Sequence, residues 1–303
     1  MRVLGVGTAL GETSLSNAAL ADVLPPDLVA RKTGIVARLR TRHSTAQLAG
    51  SALRQALEDA RLAPTDLAGV LLSTNSGDQW VPPTSATVAR DLGLTCPVMD
   101  VNAACAGGLY ALRLAAAFAG PVAVVASETV SRFCSGEPGD WCAAIFGDGA
   151  GALIVEAPPT FRGAVWGTAP EGWGWMTVLP PDHIGQMDGR KLFEAAVPLC
   201  ADALRAACRQ AGVEPQDLVL IVPHQANLRL LEAIAERLGV AMDRVETRVQ
   251  LTGNMSSASL IVTLASALWC RGRGGLTGLV AFGAGLTYGA LVCDVLYSGS
   301  GAP

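Results

Sequence analysis

The amino-acid sequence predicts an α/β fold made of two copies of one unit related by an internal pseudo-twofold axis, and three self-matches carry that prediction. The stretch from Ala46 to Thr74 lies over that from Val197 to Gln225 at an offset of 151 residues. Leu48 meets Leu199, Ala52-Leu53-Arg54 meet Ala203-Leu204-Arg205, Pro64 meets Pro215, and Asp66-Leu67 meet Asp217-Leu218. The residues CPVMDVNAACAGGLYAL from Cys96 pair with RVETRVQLTGNMSSASL from Arg244, and FGDGAGALIV from Phe146 pairs with FGAGLTYGALV from Phe282.

In each copy the first match reads as an amphipathic helix, then a proline turn, then a continuous apolar run suited to a strand covered on both faces. The second reads as strand, small-residue turn and helix. The third is a glycine-rich turn leading into an apolar strand. Units of this βαβ-like kind build mostly parallel sheets, with ligands at the carboxyl ends of the strands. The copies divide the chain into an N-terminal half, residues 1–160, and a C-terminal half, residues 161–303, whose equivalent loops are expected to face each other.

Composition narrows the class. Half of the 303 residues are apolar and 16% are charged, which predicts a large core and enough apolar surface for a homodimer. The longest candidate membrane span, Leu109 to Ala126, is interrupted by Arg113 and Gly120-Pro121, and MRVLGVGTALGE lacks the features of a secretory signal, so a cytoplasmic protein is expected. A net charge of -4 gives no reason to expect nucleic acid. Arg31, Lys32, Arg38, Arg40 and Arg42 form a local basic run, read as a solvated face. Eight cysteines contain no CxxC pair and three histidines are not spaced with them, so no metal is expected and most cysteines read as buried apolar side chains.

Cys105, in NAACAGG at a predicted first helical turn, lies where unsatisfied backbone N–H groups favour a thiolate, and its small neighbours let a thioester approach. His224 ends the apolar run IVPH at the position matching Ser73, and Asn254 in LTGNMSS occupies the turn equivalent to that of Cys105. Taken singly, His224 also reads as a core histidine and Asn254 as a helix N-cap. A nucleophile, an imidazole and an amide donor together suffice to capture an acyl group and to stabilise an enolate.

The segments NAACAGGLYAL, VPHQANLRLLEAIAERLG and GNMSSASL, with FGDGAGALIVEA and FGAGLTYGA at strand ends, resemble the β-ketoacyl-acyl-carrier-protein synthase III family. The resemblance runs nearly end to end, through RKTGIVARLR and MDGRKLFEAAV. It implies the five-layered αβαβα thiolase fold, a homodimer, no metal or organic cofactor, and an acyltransferase acting on acyl and malonyl-type thioesters of coenzyme A or acyl carrier protein. By the same resemblance Cys105 takes the acyl group, and His224 and Asn254 hold the malonyl thioester carbonyl. The backbone N–H groups of Cys105 and Ala284 would form the oxyanion hole, and Arg229 would face the carrier protein.

Four departures from the family pattern stand out. Leu28 replaces a Trp that stacks on the adenine of coenzyme A, Lys32 replaces an Arg, Trp141 falls near an adenine-sandwiching Arg, and Gly108 replaces a frequent Phe. The segment from Glu171 to Arg190 is short and carries Trp173 and Trp175, with Trp166 nearby. These features predict a specialised member of polyketide or fatty-acid-like biosynthesis with an altered grip on coenzyme A, its substrate or carrier meeting Lys32, Trp141, Arg229, Trp173 and Trp175. Three rivals are an acyltransferase that forms no carbon–carbon bond, a cysteine hydrolase of the α/β-hydrolase type whose nucleophile elbow ACAGG imitates, and a catalytically silent partner subunit.

Overall fold

The computed structural model describes residues 1–271 and 274–300. The chain opens with β1 (Arg2–Leu10), the paired strands β2 (Thr13–Ser16) and β3 (Ala37–Arg40) enclosing α1 (Pro26–Thr33), then α2 (Thr45–Ala60), β4 (Gly69–Ser73), α3 (Thr84–Leu92) and β5 (Val98–Val101). It continues through α4 (Gly107–Leu114), β6 (Gly120–Thr129), α5 (Trp141–Ile145) and β7 (Asp148–Ala157). After β8 (Gly163–Thr168) and the small pair β9 (Met176–Val178) and β10 (Gly185–Met187) come α6 (Gly189–Ala211), β11 (Leu220–Pro223), α7 (Leu228–Leu238) and α8 (Val249–Thr252). Helix α9 (Ala258–Arg271), β12 (Gly275–Gly283) and β13 (Thr287–Tyr297) follow.

Two sheets, β1-β7-β6-β4-β5 and β11-β12-β13-β8, join where β1 runs parallel to β13 over the pairs Arg2–Leu296 and Val3–Tyr297. Strand β4 is parallel to β5 and β6, and β11 to β12, but β6–β7, β1–β7, β12–β13 and β8–β13 are antiparallel. The expected mostly parallel sheet is therefore corrected to a mixed one. One cause is connection length: β12 returns to β13 through a tight turn, which compels antiparallel pairing.

Leu109 and Leu112 of α4 and Leu260, Ile261 and Leu264 of α9 share one core with Val124 and Leu153 of the first sheet and Leu279 and Leu291 of the second. These two helices are the central layer. Helix α2 covers the outer face of the first sheet through Ala49, Ala52, Leu53 and Ala56. Helices α6 and α7 cover the second through Ala203, Leu204, Leu231 and Ile234. The resulting order is the five-layered αβαβα arrangement. The repeat is visible atom by atom: Asp66 accepts from the Ala63 N–H at 2.7 Å, and Asp217 from the Glu214 N–H at 2.8 Å, each closing the turn that aims the next strand.

The basic run is only partly a solvated face. Arg38 is fully buried and donates to Asn17 Oδ1 and to the carbonyls of Leu15 and Ala144, while Arg40 donates to those of Ala143 and Phe146. Both fasten β3 to the α5 segment, and Arg31, Lys32 and Arg42 are exposed. Cys142, Cys200, Cys208 and Cys293 are buried, but Cys270 is exposed. Among the described residues, no helix is long and apolar enough to cross a membrane.

Leu53→Ala and Leu204→Ala, placed equivalently in the two outer layers, should each lower the unfolding free energy by roughly 3 kcal/mol in urea denaturation. A loss below about 1 kcal/mol at either position would contradict the layer packing described.

Candidate active site

Cys105 sits one residue before the N-cap Ala106 of α4, not within its first turn. Ala104 is held at φ 48°, a left-handed conformation that a non-glycine residue keeps only when packing dictates it. The packing comes from the turn after β12: a Cβ built on Gly283 would lie 2.6 Å from the Cys105 nitrogen. That close approach sets the Cys105 N–H beside the FGAG turn bearing Ala284. Thr287 Oγ1 fastens the two by donating to the Ala103 carbonyl at 2.9 Å.

Cys105 keeps partial exposure, yet burial pushes its thiol up to about 11; a hydrogen bond with Ser256 lowers it and the Glu128 carboxylate raises it. Burial thus works against the thiolate that the backbone N–H groups favour. Loss of hydration opposes the ionised form, and Cys105 stands before the N-cap, outside the first turn where the helix dipole acts most strongly.

Asn254 lies four residues before α9 begins at Ala258, so it is not the helix cap. Its Oδ1 accepts the Ser256 N–H at 2.8 Å. Its backbone bridges to the α5 segment, N–H to the Ile145 carbonyl and carbonyl to the Gly147 N–H, both at 2.9 Å. With Oδ1 engaged, the amide presents Nδ2 as its donor end. His224 follows β11, anchored by its N–H to the Val280 carbonyl at 2.8 Å. Its ring packs edge-on to Phe282 at a centroid distance of 5.7 Å. The ring is buried, and burial lowers its pKa to about 3, so the imidazole is neutral with a single N–H.

Three side chains escaped sequence reasoning. Ser256 Oγ lies 3.3 Å from Cys105 Sγ, and Asn75 Nδ2 donates to the same Oγ at 2.6 Å. Glu128, at the end of β6, accepts from Ser76 Oγ and Ser257 Oγ at 2.6 Å, from the Asn75 N–H at 3.2 Å and from the Ser257 N–H at 3.3 Å. The signal for Ser256 was present. Extending the offset of 151 maps Cys105 onto Ser256, not onto Asn254, and the helix starts Gly107 and Ala258 obey the same offset.

Gly108 lies where α4 passes the turn that carries Ser257. A Cβ there would lie 2.6 Å from the Ser257 carbonyl, because α4 and α9 meet backbone to backbone. The remaining candidates are dispersed. Lys32 on α1 and Arg229 on α7 are exposed, and Arg229 donates to the Arg31 carbonyl at 3.1 Å and pairs with Glu232 at 2.9 Å. Trp141 packs against the Leu24–Val29–Ala144 cluster. Trp173 is exposed and Trp175 half-buried, in a segment bordering the Ala284 turn through backbone hydrogen bonds exchanged by Ala169 and Leu286.

Residues 99–169 match the family model described as 3-oxoacyl-[acyl-carrier-protein (ACP)] synthase III, and residues 208–295 match its C-terminal counterpart. A β-ketoacyl-[acyl-carrier-protein] synthase III of Rhizorhabdus wittichii is 35% identical, with 95% of this chain and 97% of the relative covered. The chain belongs to the synthase III family. Among solved structures, the synthase III of Aquifex aeolicus superposes with a TM-score of 0.91 at 29% identity, over 96% of this chain and 99% of that one. The priming β-ketosynthase of the R1128 polyketide pathway gives 0.87 at 31% identity, over 97% and 96%. The α/β-hydrolase alternative is overturned by this fold, whose two sheets enclose a helical layer.

The buried neutral histidine links this synthase III fold to pH. Because its folded pKa lies below the ordinary imidazole value of 6.5, the contribution of His224 is present above about 6.5 and is lost as pH falls toward about 3. Stability in that window should decline by up to about 1.4 kcal/mol per pH unit from this group. His224→Gln should flatten that part of the thermal-melting profile; an unchanged slope would count against a buried neutral imidazole.

Proposed function

We propose that the protein takes an acyl group onto Cys105 and joins it to a malonyl-type thioester by decarboxylative Claisen condensation. It acts as a specialised cytoplasmic homodimer of polyketide or fatty-acid-like biosynthesis, receiving its primer from an acyl carrier protein. The observation that carries this reading is a second set of donors. Plain acyl transfer needs the nucleophile and one oxyanion hole, whereas the fixed Asn254 amide and the neutral His224 N–H supply donors for a second carbonyl.

In the first half-reaction the Cys105 sulfur attacks the acyl carbonyl, and the developing oxyanion is held by the N–H groups of Cys105 and Ala284. The carbonyl reforms as the carrier thiolate departs with the proton lost from Cys105. The malonyl-type thioester then places its carbonyl toward His224 and Asn254. The bond to its carboxylate breaks, carbon dioxide leaves, and the electron pair rests on an enolate oxygen that accepts from both donors. The enolate carbon attacks the acyl-cysteine, forming the new carbon–carbon bond and releasing Cys105 as a thiolate, which regains its proton from solvent. Leu28 and the exposed cations Lys32 and Arg229 favour a carrier protein over coenzyme A as primer donor.

Intact-protein mass spectrometry should show acylation from acyl-carrier protein at least about tenfold faster than from acetyl-coenzyme A, and none in Cys105→Ala; equal rates would overturn the carrier preference. Asn254→Ala should still acylate while carbon dioxide release from malonyl-carrier protein falls about 100-fold or more. Undiminished release would overturn condensation.

A further inference from the structure

Ser256 is buried and held at φ 45°, where glycine would sit more easily, so the chain keeps a side chain at a backbone cost. Its hydroxyl touches two groups, the Asn75 amide at 2.6 Å and the Cys105 sulfur at 3.3 Å. We infer that Ser256 is a positioning residue for the nucleophile: its hydroxyl, oriented by the Asn75 amide, donates to the Cys105 sulfur once the thiol ionises. This rests on Cys105 being the nucleophile.

The geometry carries the direction of the proton. Asn75 Nδ2 donates to Ser256 Oγ and fills one lone pair, which leaves the sulfur as the acceptor in reach of the hydroxyl proton among the described residues. The turn is fastened from the other side, since the Ser256 N–H donates to Asn254 Oδ1. One short turn therefore orients the Asn254 amide through its backbone and the Cys105 sulfur through its side chain. Ionisation of the thiol leaves the sulfur to accept the Ser256 hydroxyl proton, and the proton lost leaves with the departing carrier thiol. A donor to the thiolate offsets the burial and the nearby Glu128 that oppose ionisation.

The test is the pH profile of Cys105 alkylation by iodoacetamide, read on the Cys105 peptide by mass spectrometry so that the other cysteines do not contribute. Ser256→Ala and Ser256→Gly should raise the apparent thiolate pKa by about one unit and slow alkylation at neutral pH about tenfold. The Gly variant relieves the backbone, so a shared shift reports the hydroxyl and not strain. Asn75→Ala should shift the profile the same way. Profiles of both Ser256 variants superimposing on the unmodified protein would overturn the inference, and a Ser256 shift without an Asn75 shift would overturn the orienting role of Asn75. Alkylation uses no thioester substrate, so its failure is distinct from failure of the proposed condensation, which is read as carbon dioxide release.

Discussion

A carboxyl group enclosed at the end of a strand forfeits its hydration and is kept only where donors surround it. Glu128 meets that condition with groups from both copies of the repeat: Asn75 and Ser76 from the loop after β4, and Ser257 from the turn before α9. The clamp fixes the loops that carry Asn75 and Ser256. It also exerts a cost, because the same carboxyl opposes ionisation of Cys105. The group that assembles the site works against its nucleophile, and local donors must offset it.

The other titrating partner is equally unassisted by charge. Burial leaves His224 neutral, so any oxyanion it serves meets a dipole rather than a cation. A neutral donor loses no partner ion when the oxyanion collapses, and it does not tighten on an incoming carboxylate in the ground state. In the proposed cycle the charge travels from carboxylate to enolate to the Cys105 sulfur while the imidazole keeps its proton, and the donors stay where the fold holds them.

Much of this was legible in the sequence where equivalent residues do equivalent work. Ala52 and Ala203, Leu53 and Leu204, and Asp66 and Asp217 match because each pair packs or caps the same junction. Strand direction was not legible, since an apolar run looks alike in either sense and the connections decide pairing. Cys105, His224 and Asn254 stood out because motifs surround them. Glu128 did not, being one carboxylate after an apolar run, and only its enclosure makes it notable. Arg38 and Arg40 were hidden among five basic residues, although their i, i+2 spacing on β3 puts them on one face.

Cys105 and Ser256 occupy the same position in the two copies, and their side chains touch. Two identical chains meeting across a true dyad would set thiol against thiol, or hydroxyl against hydroxyl. Joining both copies in one polypeptide lifts that restriction, because each can then change alone. The pseudo-axis thus becomes the place where sameness of backbone meets difference of chemistry, and a symmetric scaffold acquires a polarity that no symmetric assembly of its halves would possess.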